Sequence, residues 1–311
     1  MPQARRGQRP TTFRLAPGYA ASFGVTIMAE TVSVALLDFS GRVLGEAMQP
    51  LGDMQRATVL ASLHELMDRL IADSGVDRHR IVGLGAGISG YFNGTGARLN
   101  TPLTLDDWAL VDIEALLNDH FQMPAWVDND GNAASVGESM VGVGRWCDNF
   151  AYLYFATGFG GGVIIDGELS RGRHGNAGEF AGILPDGYTH PNLDGLRANI
   201  SSHGIALDNV ADMIKRFDPT WPGVTEWIDL SLPSLDLIAS AIHSVIDPDA
   251  IVLGGRIPHQ LAAMLIPRIT FTNVTRRDSP RPEPKLVQAE ASGDATAVGA
   301  ALMPLKNFFF R

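Results

Sequence analysis

The chain has 311 residues, 45% of them hydrophobic and 19% charged, with one cysteine and a formal net charge of −10. That length exceeds the usual single core and predicts about two domains, and the composition is that of a globular chain rather than a disordered one. The negative balance argues against a broad nucleic-acid surface; the single cysteine, Cys147, excludes a disulfide framework or a thiolate metal site within one chain; and no apolar run approaches the ~20 residues of a membrane span.

The first residues, MPQARRGQRPTTFR, run against the overall charge, with Arg5, Arg6, Arg9 and Arg14 and no acid. They read as a solvated basic tail or as a linker to another module. No apolar core follows them, so they do not read as a secretory signal, and a cytoplasmic location is expected. Residues 23–51 then predict a three-strand meander, in which Val32, Val34 and Leu36 alternate with smaller or polar residues and Asp38, Phe39, Ser40 and Gly41 form a turn. Val59, Leu63, Leu66, Met67 and Leu70 recur at helical spacing and predict a helix over 55–73. A buried strand over 80–89, a helix over 111–120, a strand over 125–128 and a helix over 130–140 follow, the last with Asn129 or Asp130 at its N-cap.

The second half repeats this order. Strands are predicted over 149–156 and 161–165, and an Asp166-Gly167 turn leads into 168–171. Helices are expected within 200–216 and 234–246, then a strand over 250–254 that ends in Gly254-Gly255. A helix over 258–269, a strand over 285–288 and a last helix over 295–305, with small residues along one face, complete the chain. A meander followed by alternating helices and strands in each half predicts two α/β domains, each a mixed sheet covered by helices, with a cleft between them. One doubly wound sheet is the alternative, and the two meanders argue against it because a simple parallel sheet contains none.

Four segments carry candidate chemistry. In FATGFGGGVIIDG, residues 155–167, the glycines match neither a dinucleotide fingerprint nor a Walker loop. They read as a bulged hairpin or as backbone amides that hold a phosphate, with Thr157 adding a hydroxyl. In VDNDGNAASVGE, residues 127–138, Asp130 either caps a helix or takes a proton from a substrate hydroxyl at a strand's C-terminal end. Glu179, on the glycine-punctuated loop of residues 171–185, is a surface acid or a sugar-hydroxyl partner. The strand end Gly254-Gly255 suits an adenosine contact. His174, His190 and His203 match no metal spacing.

Taken in order, these segments resemble the ROK family of bacterial sugar kinases and sugar-responsive repressors, over nearly all of the chain after about residue 17. TGFGGGVIIDGELSRGRHGNAGE resembles the family's signature region, and VDNDGNAA is similar to its catalytic segment. The resemblance implies a two-domain, actin-like ATPase fold with a sugar in the interdomain cleft. It implies residues 18–122, completed by 295–311, as the first domain and 123–294 as the second, after a linker-like stub over 1–17. It further implies Asp130 as the catalytic base, with Asn129, Asp130 and Glu179 on the sugar, and Thr157, Gly158, Gly160, Gly161, Gly254 and Gly255 around phosphate or nucleotide. A homodimer or homotetramer is implied as well.

Three departures bear on function. Family kinases open with a D-x-G-G-T phosphate loop, where this chain has Thr26-Ile27-Met28-Ala29-Glu30, and Glu30 is expected to repel an ATP phosphate. The family's zinc site is missing its histidine, at Ala181-Gly182, and its cysteines, in residues 194–202, so no zinc is expected; a later sugar-binding glutamate is Ser201. The N-terminus resembles the linker after a helix-turn-helix, so DNA contact is expected only through such a module outside this chain. Two functions follow. The first is a sugar-binding effector domain of the repressor branch, with weak or no kinase activity. The second is an ATP-dependent hexose or N-acetylhexosamine kinase with Asp130 as general base and Mg²⁺ bridging the phosphates.

Overall fold

A computed structural model describes residues 15–94, 96–273, 275–291 and 293–310. The expectations for the basic tail over 1–14 fall outside the described residues.

Two five-stranded sheets organise the chain. In the first, β1 (Ala21–Met28), β2 (Thr31–Asp38) and β3 (Val43–Pro50) form the meander. Helix α1 (Arg56–Ser74) then crosses over to β4 (Ile81–Ile88), which lies parallel to β1 on its free side. A short hairpin of β5 (Tyr91–Phe92) and β6 (Leu99–Asn100) follows. Helix α2 (Ile113–Phe121) leads to β7 (Ala125–Asn129), parallel to β4, and the sheet order is β3-β2-β1-β4-β7. Helix α3 (Asp130–Val141) joins this sheet to the second one.

The second sheet repeats the plan. Strands β8 (Phe150–Phe155), β9 (Phe159–Ile165) and β10 (Glu168–Leu169) form its meander. Helices α4 (Leu193–Ser202), α5 (Val210–Arg216) and α6 (Val224–Val245) precede β11 (Ala250–Gly255), and α7 (His259–Leu265) precedes β12 (Lys285–Gln288). The order is β10-β9-β8-β11-β12, with β8, β11 and β12 parallel. Counted along the chain, each sheet runs 3-2-1-4-5.

Each sheet buries one face under its own helices. Phe23, Val25, Ile27, Val34 and Leu36 pack with Val59, Leu63 and Leu66 of α1, while Ala151, Leu153 and Phe155 pack with Trp227, Ile228 and Leu235 of α6. Helix α8 (Ala295–Phe309) lies on the opposite face of the first sheet, against β1, β2 and β4, and crosses α3. Small residues make both contacts possible. A Cβ at Gly85 would lie 1.8 Å from the Ala300 carbonyl oxygen, and one at Gly299 would lie 1.8 Å from that of Ala133. The two backbones touch there, so any side chain would force them apart.

Three elements depart from the sequence expectation. Helix α6 starts ten residues before position 234 and runs through Pro233. The proline removes one backbone bond to Asp229, an exposed residue, while Val224, Trp227 and Ile228 supply buried area that keeps the preceding turns helical. The helix expected within 200–216 is two, because α4 ends at Ser202 and α5 begins after its Asn209 cap. The segment aligned with a lost cysteine cluster is α4 itself, which sends Leu193, Leu196 and Ile200 into the core. The β5–β6 hairpin carries little apolar alternation and was not anticipated.

Candidate functional site

Strand β7 delivers Asn129 and Asp130 to a cleft between the two sheets. Asn129 caps α3 by accepting from the Asn132 N–H at 3.1 Å, and its amide donates to the Gly90 carbonyl at 2.7 Å. That leaves Asp130 as the first helical residue, 7% exposed, with its carboxylate at the helix's positive end. The Ser89 hydroxyl donates to it at 2.5 Å and the Gly131 N–H at 3.0 Å. Burial nevertheless holds the Asp130 carboxyl above its ordinary range, against these two donors and with the Asp294 charge adding to the effect.

The loop after β10 brings Glu179 to the same cleft. Four contacts fix this loop. Arg171 pairs with the buried Asp128, Asn132 donates to the Gly175 carbonyl at 3.3 Å, and Asn176 holds Phe92 of β5 at both its N–H (2.8 Å) and its carbonyl (2.9 Å). Asn176 thus copies one residue of an antiparallel strand pairing, across from one sheet's loop to the other sheet's hairpin. The fourth contact is at Gly178, where a Cβ would meet the Gly162 Cα at 2.7 Å. Glu179 follows, and no hydrogen-bond donor among the described residues reaches its carboxylate. Burial and the Asp130 charge push its pKa up to about 7.

The glycine run divides into two kinds. A Cβ at Gly161 would lie 2.2 Å from the Tyr152 carbonyl oxygen, and one at Gly162 would lie 2.3 Å from the Ser135 hydroxyl, so close packing requires both. At Gly158 and Gly160 a Cβ would meet nothing within 4 Å, and neither has positive φ. The fold therefore asks for no glycine at those two positions. Both line the cleft, where they leave bare backbone facing Asn129, Asp130, Thr157 and Glu179 across a volume of about 430 Å³. This size is within the usual range for small-ligand sites.

A second compartment of about 630 Å³ adjoins the first and is lined by Gly255, Arg256, Lys215, Glu46 and Asp294. Met28 and Tyr154 line both compartments and form the wall between them. The Tyr154 hydroxyl donates to the Met28 sulfur at 3.6 Å and accepts from Thr296 at 3.1 Å, and Thr296 Oγ1 lies 3.5 Å from the Asp130 carbonyl oxygen. All three side chains of this wall are buried. Burial of Glu46, beside the Asp294 charge, raises its carboxyl above the ordinary range.

Among the predicted residues, Asn129, Asp130, Glu179, Thr157, Gly158 and Gly160 meet in one compartment and Gly255 faces the other, while Gly161 and Gly254 line neither. Gly254 is fixed by packing, because its Cβ would strike the Tyr152 hydroxyl at 2.2 Å. Met28 pairs with Thr31, so Ala29 and Glu30 are the two-residue turn of the β1–β2 hairpin, and that turn presents Met28 and Ala29 to the cleft. Among the described residues Glu30 lines neither compartment. Met28 puts apolar bulk on this side of the cleft. Sequence reasoning missed Ser89, Tyr154 and Asn176. Ser89 directly follows β4, the strand paired with β7, a position visible only once the register is known. Tyr154 reads as one more apolar strand residue.

The described residues contain no helix long and apolar enough to cross a membrane and no group of three or more metal-ligating side chains. The chain is 27% identical over 293 residues to the uncharacterized protein y4fQ of Sinorhizobium fredii, covering 92% of this chain and 74% of that one. It is 26% identical over 179 residues to a xylose repressor of Caldicellulosiruptor bescii, covering 57% of this chain and 44% of the repressor. Glucokinases match as well, and the chain spans about half the length of these curated repressors and glucokinases. The crystal structure of a ROK family glucokinase from Streptomyces griseus, in complex with glucose and AMPPNP, superposes with a TM-score of 0.70 at 21% identity, over 91% of this chain and 99% of that one. The two sheets and their helices are thus the actin-like fold of sugar kinases. The ROK family model matches residues 22–307, and the chain belongs to the ROK family.

Proposed function

We propose that this chain is a sugar-binding effector unit of a transcriptional regulator, in which Asn129, Asp130 and Glu179 hold an unphosphorylated sugar and no efficient phosphoryl transfer occurs. The observation that carries this is the Met28–Tyr154–Thr296 wall. In-line transfer needs the attacking hydroxyl and the phosphoryl group in contact. A phosphate approaching Asp130 from the compartment at Gly255 would have to displace a buried methionine and a buried tyrosine, and it would pass the carboxylates of Glu46 and Asp294. These residues fit ATP and Mg²⁺ poorly. The sugar side is better furnished. Asp130 accepts a hydrogen bond from a sugar hydroxyl, Glu179 has unused acceptor capacity, and the bare amides at Gly158 and Gly160 offer donors. In this assignment the chain divides at about residue 122, with 295–311 returning to the first domain, and it works as a homodimer or homotetramer. DNA contact would come from a module other than the residues described.

The kinase alternative is favoured by the same bare backbone at Gly158 and Gly160, which suits a phosphate, and by Asp130, which would then take the proton from the sugar hydroxyl. Calorimetry with xylose, glucose and N-acetylhexosamines, each with and without ATP and Mg²⁺, separates the two. Sugar binding without ATP binding is expected. A coupled assay showing turnover above about 1 s⁻¹, lost in Asp130→Asn, would overturn the effector assignment.

A further inference from the structure

We propose that the preferred ligand of this cleft is an amino sugar, a hexose-sized polyol whose protonated primary amine sits against Glu179. This rests on the sugar-binding assignment above and names its ligand class.

The charge inventory of the compartment carries the proposal. Its ionisable carboxyls are Asp130 and Glu179; the other polar side chains at its surface are the hydroxyls of Ser89, Thr104 and Thr157, the phenols of Tyr91 and Tyr154, and the Asn129 amide. Among the described residues, no lysine, arginine or histidine lines it. Of the nearby cations, Arg171 is committed to Asp128, and Lys215 and Arg256 stand in the other compartment, beyond Met28 and Tyr154. Asp294 adds negative charge from behind the wall. A cleft so furnished repels phosphorylated and carboxylated sugars.

The two acids also differ in what they lack. Asp130 already accepts from Ser89 and Gly131, so one hydroxyl completes it. Among the described residues Glu179 has no donor and no counter-charge, and it is half-buried by the loop that Asn176 and Gly178 hold in place. A neutral hydroxyl offers it one ordinary hydrogen bond. An ammonium offers up to three donors and the missing charge, and hydrogen bonds between ionised partners are roughly twice as strong as neutral ones. The amine in effect replaces the proton that burial and the Asp130 charge retain on Glu179 up to about pH 7. Binding of an amino sugar near pH 6 therefore releases that proton, whereas binding of a neutral sugar releases little.

The test titrates the full chain calorimetrically with matched pairs: glucose, galactose and mannose, and for each the analogue with a free amine at C2, C3 or C6. Xylose, glucosamine 6-phosphate and glucuronate complete the set. Each is measured at about pH 6 in two buffers of different ionisation enthalpy. At least one amine should bind about tenfold tighter than its parent sugar, with a proton released. That advantage should vanish in Glu179→Gln while the parent sugar's affinity changes less, and in a repeat at about pH 8, where Glu179 is ionised, the uronate should bind more weakly than glucose and glucosamine 6-phosphate more weakly than glucosamine. If a neutral sugar binds as tightly as every amine, the amine assignment fails and the sugar-binding one stands. If no member of the set binds, both fail.

Discussion

Replacing Glu179 with glutamine should make the protein more stable at slightly alkaline pH and leave it unchanged in acid. The carboxyl has a pKa of about 7 in the folded chain, against an ordinary value of 4.5. Between these values the folded state binds the proton more tightly than the unfolded one. Stability is therefore undiminished below about pH 4.5, declines as pH rises through the window and is lowest above about pH 7. The full difference corresponds to a ceiling of about 3 kcal/mol, and partial exposure to water reduces it to about 1–2 kcal/mol. Glutamine keeps the shape and removes the titration. Urea unfolding of both proteins at about pH 4.5 and pH 8 should give coincident midpoints in acid and a higher midpoint for the variant in base. In an Asp130→Asn background the gain should shrink, because the Asp130 charge is the second cause of the shift. A stability difference equal at both pH values, or a variant less stable at pH 8, would show that Glu179 has a favourable partner in the folded state and would refute the reasoning.

Two further outcomes follow from the packing. Gly158→Ala and Gly160→Ala should leave thermal stability within about 0.5 kcal/mol of the parent while weakening sugar binding in calorimetry, whereas Gly161→Ala should cost about 2–4 kcal/mol, because its Cβ meets the backbone of β8. Asn176→Ala removes both bonds to Phe92 and should cost about 1–3 kcal/mol; it should also lower the Glu179 pKa, followed by carboxyl NMR, as the loop loosens and admits water.

Much of the fold was legible because its signals are local. Alternation in 32–36, helical spacing in 59–70 and the Asp166-Gly167 turn each depend on neighbours in sequence, and β12 falls on the expected residues 285–288. Asp130 and Glu179 were legible as acids beside glycines. What was hidden depends on distance in sequence. Ser89 and Asp130 are 41 residues apart, Asn176 and Phe92 are 84 apart, and Tyr154 and Thr296 are 142 apart. The phosphate-loop segment was only partly legible for a related reason. An alignment gives a residue's position in the chain, but not that Ala29 and Glu30 form a two-residue turn that presents Met28 to the cleft. The meaning of the glycines was split for the same cause, since only the neighbours of β9 distinguish the two that packing needs from the two that it does not.

The crossing of α3 and α8 has a mechanical consequence. At Ala133 against Gly299, and at Gly137 against Ala295, main chain rests on main chain with no side chain between to compress or change rotamer. Such a contact behaves as a fulcrum and not as a cushion. Asp130 is one turn from it at one end of α3, and Met140 is exposed at the other. Helix α3 therefore carries Asp130 at the cleft and Met140 on the far surface, near Leu302 and Phe310, on either side of one main-chain pivot. The twelve residues of α3, about 18 Å, thus span from the cleft to the back of the molecule with no loop between.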